Sequence, residues 1–182
     1  AGRRISGLLI IALALAWCGR TQASDDSVES SQTGQPEMRW NIATWTFGGK
    51  QWWTDELIHG QWRIQRNVLS GHCRLLDPKN VRQAWGSWNQ CLKAWTTLKR
   101  DKNVPPLKKR TVILLHGLGR TRSSMRQLAD YLTANSDFSV LQFSYASTRS
   151  SLADDAKYLA KVLGHLEGVE EVNYVAHSMG NL

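Results

Sequence analysis

The chemistry-bearing stretch of this 182-residue chain is Ala176-His177-Ser178-Met179-Gly180. A serine with a small residue two places before it and another two places after it, directly behind an apolar strand, has the pattern of a nucleophile elbow. The small flanks are a steric requirement. The serine sits on a sharp turn, and a larger side chain at either flank would strike the neighbouring strand or helix. Ala176 stands where a glycine is usual, and alanine is still small. Upstream, Val112-Ile113-Leu114-Leu115 runs into His116-Gly117-Leu118-Gly119, a second strand that opens into a glycine-bearing loop. A serine hydroxyl in such a setting attacks an acyl carbonyl.

The elements that must position these loops are legible as hydrophobic patterns. Residues 111–115 form a continuous apolar, β-branched run, as in a strand covered on both faces. Met125, Leu128, Ala129 and Leu132 recur at helical spacing, with Ser123 or Ser124 as N-cap and Asn135 near the stop. Residues 139–143 make another strand. Ser151 and Asp154 open a second helix with Leu152, Ala156, Leu159, Ala160, Leu163 and Leu166 inward, and residues 172–176 form a third strand. Strand, helix, strand, helix, strand predicts an α/β, doubly wound, mostly parallel sheet.

Residues 39–106 precede this part as a tryptophan-rich lead-in. Gly48-Gly49 suits a hairpin turn, and Trp62-Arg63-Ile64 alternates like a half-buried strand. Asp77 as N-cap and Pro78 as first helical residue predict a long helix, with Val81, Ala84, Trp85, Trp88, Cys91, Leu92, Trp95 and Leu98 on one face. The tryptophans read either as packing or as an aromatic platform for an envelope component. Arg63, Arg66 and Arg74 interleave with them, but no nucleic-acid-binding signature accompanies the basic residues, which excludes that class. Cys73 and Cys91 are either a disulfide or two buried thiols. His59 and His72 lack the spacing and companions of a metal site, and neither a metal nor a cofactor is implied.

The amino end carries Arg3-Arg4, an apolar run over residues 5–17 and the exit Thr21-Gln22-Ala23. This predicts a signal peptide over residues 1–23 and export, with a retained anchor as the alternative. Residues 24–38 are polar and acidic and read as a flexible linker. The formal charge of +8 includes Arg3, Arg4 and Arg20, so the remaining excess is mild and demands no anionic partner. Three cysteines exclude a disulfide-rich miniprotein.

Together the His116-Gly117-Leu118-Gly119 loop and the Ser178 pentapeptide, followed by Asn181, resemble a secreted bacterial α/β-hydrolase of the lipase/esterase type. The resemblance covers residues 111–182. It implies Ser178 as nucleophile, the backbone N–H groups of Leu118 and Met179 as oxyanion donors, and His116 as a residue that shapes the loop. His177 then packs or orients, and His165 is solvated. Arg120, Arg122 and Arg126 form either a solvated rim or a seat for an anionic head group. The implied substrate is a small-molecule or lipid ester, with contact to a membrane surface as a further option. The oligomeric state is not implied. In that family an acidic residue and then a histidine follow the serine, and residues 179–182 hold neither. The expectation is therefore the front part of a longer serine hydrolase, inactive as this chain alone. The alternative is a non-catalytic protein of the same fold that binds a cell-envelope component through its tryptophans.

Overall fold

A computed structural model of the chain describes residues 4–5 and 49–182. The rest of the expected signal peptide, the expected linker, Gly48, Trp40 and Trp45 lie outside the described residues. A two-residue strand β1 (Arg4–Ile5) comes first. Four strands follow: β2 (Trp53–His59), β3 (Trp62–Asn67), β4 (Cys73–Leu76) and β5 (Arg82–Gly86), then helix α1 (Trp88–Asp101). The remainder alternates as β6 (Arg110–Leu115), α2 (Arg126–Asn135), β7 (Ser139–Phe143), α3 (Leu152–Gly164) and β8 (Glu171–Ala176).

The expected doubly wound, mostly parallel sheet is corrected by this topology. Strands β2, β3, β4 and β5 form an antiparallel meander of their own, hydrogen-bonded in sequence order. The parallel sheet is small: β6 lies between β7 and β8, with β1 at the outer edge of β8. Part of the cause lies in residues 77–87, where helical spacing of apolar residues was fortuitous. Val81, Ala84 and Trp85 belong to a strand or its approach, with Ala84 paired to Leu75 and Trp85 to Arg74. Helix α1 starts only at Trp88, where Ser87 accepts from the Gln90 N–H and the Gln90 side chain reaches back to Ser87 in a capping box. Asp77 caps a turn instead, its carboxylate accepting from Lys79 N and Val81 N at 2.9 and 2.8 Å. Gly60, at φ +59°, makes the tight connection between β2 and β3.

Alternation along the meander decides what each face does. Leu57, Ile64, Cys73 and Leu75 face α1 and pack with Cys91 and Trp95. Cys73 and Cys91 are both buried free thiols, the second of the two readings left open by the sequence, and burial pushes the Cys73 thiol up to about 11. In the parallel sheet, Ile113, Leu115, Leu141 and Phe143 pack against Val162 and Leu166 at the end of α3. Val112 and Leu114 pack on the other side with Met125 and Ala129. The buried side of α3 runs through Asp155 and Val162, while Leu152, Ala156 and Ala160 are exposed, which corrects their expected inward placement. Among the described residues no helix is long and apolar enough to cross a membrane.

The two sheets meet along β2. Asp55 N donates to Ser144 O at 2.8 Å, Ser144 N returns to Asp55 Oδ2 at 2.7 Å, and Ala146 N donates to Thr54 Oγ1 at 3.1 Å. Next in sequence, at a bulge, Glu56 is 1% exposed and accepts from Arg66 Nε at 2.9 Å and Lys161 Nζ at 2.5 Å. This joins β2, β3 and α3. Burial alone would raise the Glu56 pKa, but the two cations outweigh it and hold the carboxyl below its ordinary value.

That network generates a prediction. Glu56→Ala should lower stability by about 2–4 kcal/mol in urea unfolding, because it breaks a buried ion cluster. Splitting the exposed Arg126–Asp130 pair should change it by less than about 1 kcal/mol. The Glu56 contribution is present above the ordinary glutamate pKa and disappears as pH falls through the lower folded value.

Candidate functional site

The site is built at the C-terminal ends of β6 and β8. After Ala176 the chain stays extended through His177, then Ser178 turns into the left-handed region at φ +55° and a short helical turn, Ser178–Asn181, begins. A non-glycine residue there costs about 1–3 kcal/mol and persists only where its surroundings hold it. Here His177 N donates to Leu115 O at 3.0 Å, Gly180 N to His177 O at 3.1 Å and Asn181 Nδ2 to Ser178 O at 3.1 Å. The turn is bolted to the end of the central strand, and the serine side chain is left exposed.

Two glycines make that approach possible. A Cβ on Gly180 would lie 2.9 Å from Leu115 Cβ and 3.0 Å from Leu115 O. A Cβ on Gly117 would lie 3.1 Å from Ser178 Cβ, 3.0 Å from His177 Nδ1 and 3.3 Å from His177 O. The glycine loop after β6 therefore rests directly on the serine turn. Ala176 is buried beneath, where a small side chain fits.

The loop itself is held from behind. Arg120 N donates to Gly117 O at 3.1 Å across a turn in which Gly119 has φ +67°. Gly119 N donates to Ser147 Oγ at 3.1 Å, and Gln51 Nε2 to Arg120 O at 2.8 Å. His116 is fully buried, its ring stacked on Tyr145 at 4.1 Å. Its Nδ1 lies 3.0 Å from Gly117 O, which can only accept, so Nδ1 carries the proton. Burial lowers the His116 pKa and keeps the ring neutral. Tyr145 donates its hydroxyl to His116 O, and burial followed by the charge of Asp155 pushes its pKa up to about 12, so it remains a donor. His116 is thus a brace for the loop.

Leu118 and Met179 follow the contacting residues Gly117 and Ser178 in the chain. Their backbone N–H groups make no hydrogen bond to any described residue. The Leu118 side chain is 60% exposed, whereas Met179 packs onto the core beneath α3. Unengaged N–H groups flanking a serine can accept charge that develops on a substrate oxygen.

The structure brings Ser178, Gly117, Gly180 and His177 together, with Leu118 and Met179 adjoining in the chain. It does not place a base on the serine. Ser178 Oγ has no hydrogen-bond partner among the described residues; His177 is exposed and turned toward Gly117. His59 Nε2 donates to Pro105 O, His72 stacks on Trp85, and His165 lies against Trp88. Sequence reasoning missed Tyr145 and Ser147, on the loop after β7, and Asp55, on β2, which together hold the loops of the site. Their signal was weak, because a Ser-Tyr-Ala-Ser run after a strand reads as an ordinary polar loop. No family model, curated protein or solved structure matches this chain. Its own residues therefore carry the functional reading.

The two glycine positions separate packing from backbone strain. Gly180→Ala forces backbone atoms of β6 and the turn apart and should cost about 1–3 kcal/mol. Gly119→Ala meets nothing within 4 Å. It should cost only the left-handed conformation, about 1 kcal/mol. Thermal unfolding of both variants checks this, and only Gly180→Ala should also shift the amide resonances of Ser178 and Met179.

Proposed function

We propose that Ser178 is the nucleophile of a serine hydrolase acting on carboxylic esters, small-molecule or lipid, through an acyl-enzyme. The observation that carries this reading is the left-handed turn at Ser178 with Gly117 pressed against its Cβ. A fold has no packing reason to hold an exposed serine in a strained conformation beside two unengaged N–H groups. A nucleophile that must stand clear of the sheet does.

In this mechanism Ser178 Oγ attacks the acyl carbon, and the carbonyl oxygen gains charge between the N–H groups of Leu118 and Met179. Each such donor contributes roughly 2.7–4 kcal/mol to the transition state. Collapse expels the alcohol and leaves the acyl group on Oγ, and water then releases the acid. The serine proton passes to a base that the described residues do not supply. The lipase/esterase resemblance places an acid and a histidine later in the chain, so a protein running beyond Leu182 is part of the proposal. So is export, with the mature product beginning near Ser24.

The test uses the protein expressed from its complete gene. It should hydrolyse short-chain p-nitrophenyl esters and react with a fluorophosphonate probe. Ser178→Ala should lower kcat by on the order of 10⁴–10⁶ and abolish labelling. A Ser178→Ala protein with unchanged turnover removes Ser178 as nucleophile.

A further inference from the structure

The second face of the antiparallel meander, away from α1, carries an unusual concentration of charge. Arg63 is 2% exposed. One of its terminal nitrogens donates to Asn80 Oδ1, and its Nε is buried without a partner. Arg122, at the end of the loop that follows Gly119, donates from Nη2 to the same Asn80 oxygen at 3.1 Å and from Nη1 to Gln61 Oε1 at 3.4 Å. Arg74 gives two hydrogen bonds to Gln65 Oε1, at 3.0 and 2.8 Å, and lies 3.8 Å over the Trp53 ring. Gln65 in turn donates to Asp55 Oδ1 at 2.7 Å.

The chemistry of this cluster is lopsided. Its three guanidiniums are held by neutral amides, and none has a carboxylate within ion-pair distance among the described residues. One buried carboxylate, Asp55, lies within electrostatic reach, and its two oxygens are already taken by Gln65 and Ser144. Two positive charges remain in excess. Burial, and then the charge of Arg63, pulls both Arg74 and Arg122 down to about 10, the response expected of crowded, desolvated cations. Buried charges ordinarily carry a counter-charge. The scaffold is also shaped for the purpose. Asn80 sits at φ +61°, held by the Asp77 turn, and its amide oxygen draws Arg63 and Arg122 to one point. Arg74 and Arg122 keep part of their side chains in solvent, which gives an anion a way in.

From this geometry we infer that Arg63, Arg74 and Arg122 form a binding site for a phosphate-type dianion, either free phosphate or a phosphomonoester head group. Three forked donors suit a tetrahedral oxyanion, and two excess positive charges match a dianion better than a single carboxylate. The site does not depend on Ser178 being a nucleophile. Because Arg122 follows the Gly117–Gly119 loop in the chain, occupancy of the site would also steady that loop.

Titration calorimetry on the full chain tests the inference with inorganic phosphate against sodium chloride at equal ionic strength. A second arm measures co-sedimentation with phosphatidylcholine vesicles with and without phosphatidic acid. Saturable phosphate binding with a Kd below roughly 1 mM supports a free-phosphate site. Binding confined to phosphatidic acid vesicles supports a head-group site. In either arm Arg122→Gln and Arg74→Gln should each weaken binding about 10- to 100-fold, the worth of a charge-assisted hydrogen bond. Arg126→Gln, an exposed neighbour outside the cluster, should change it less than about twofold. Circular dichroism confirms that each variant is folded. Should Arg122→Gln not fold, Arg122→Lys keeps the charge, loses the fork and should still weaken binding. Absence of binding in both arms, or binding indifferent to Arg74 and Arg122, overturns the site.

Discussion

The contact between the end of β6 and the turn after β8 is the constraint on which the candidate site depends. Leu115 O accepts from His177 N, and Leu115 and His116 occupy the space that any side chain at residue 180 would need. Gly117 then closes over Ser178 Cβ. Each close approach requires the other, so the serine turn and the glycine loop behave as one object. Its stored strain, about 1–3 kcal/mol at Ser178, is small beside the burial of β6, where Val112, Ile113 and Leu114 are almost wholly removed from water. A strained turn survives because it is anchored to a deeply buried strand.

The antiparallel meander is what keeps that object in place. The exchange of hydrogen bonds between Asp55 and Ser144, with Thr54 receiving Ala146 N, ties β2 to the loop after β7. The same loop supplies Tyr145 to His116 and Ser147 to Gly119. Forces on the loop behind the serine are therefore borne in part by a sheet that lies outside the serine turn and its glycine loop. Glu56, bridged to Arg66 and Lys161, fixes α3 against the same strand. Polar groups at a seam hold geometry more sharply than apolar contacts, since each hydrogen bond tolerates little displacement.

How far the sequence could be read follows from what each segment had to satisfy. β6 was legible because its apolar run is unbroken, and β7 and β8 because apolar residues dominate short segments bounded by polar ones. The pentapeptide at Ser178 was legible because sterics restrict its flanks to small residues. Residues 77–87 were misread because Val81, Ala84 and Trp85 fall by accident at helical steps that continue into the helix at Trp88. Gly86, at φ +142°, and the Ser87–Gln90 capping box were the local signals that a strand ends and a helix begins there. The inward side of α3 was misplaced because Asp155, buried against Ser150, holds a position that hydrophobic spacing assigns to solvent. Gln65 escaped notice for the same reason, and so did the clustering of Arg63 and Arg74 with Arg122 on one closed face. Alternating polar residues in a strand signify a wet face, and only the contacts of Asn80 and Arg122 reveal that this one is largely closed.

The central claim is that Ser178 and the two N–H groups beside it form one reacting centre. Its most direct test is the crystal structure of the complete protein after reaction with a monoalkyl fluorophosphonate. The account predicts a covalent bond from Ser178 Oγ to phosphorus, with the phosphoryl oxygen about 2.7–3.1 Å from both Leu118 N and Met179 N. An adduct on another residue, or a phosphoryl oxygen turned away from both N–H groups into solvent, would contradict it.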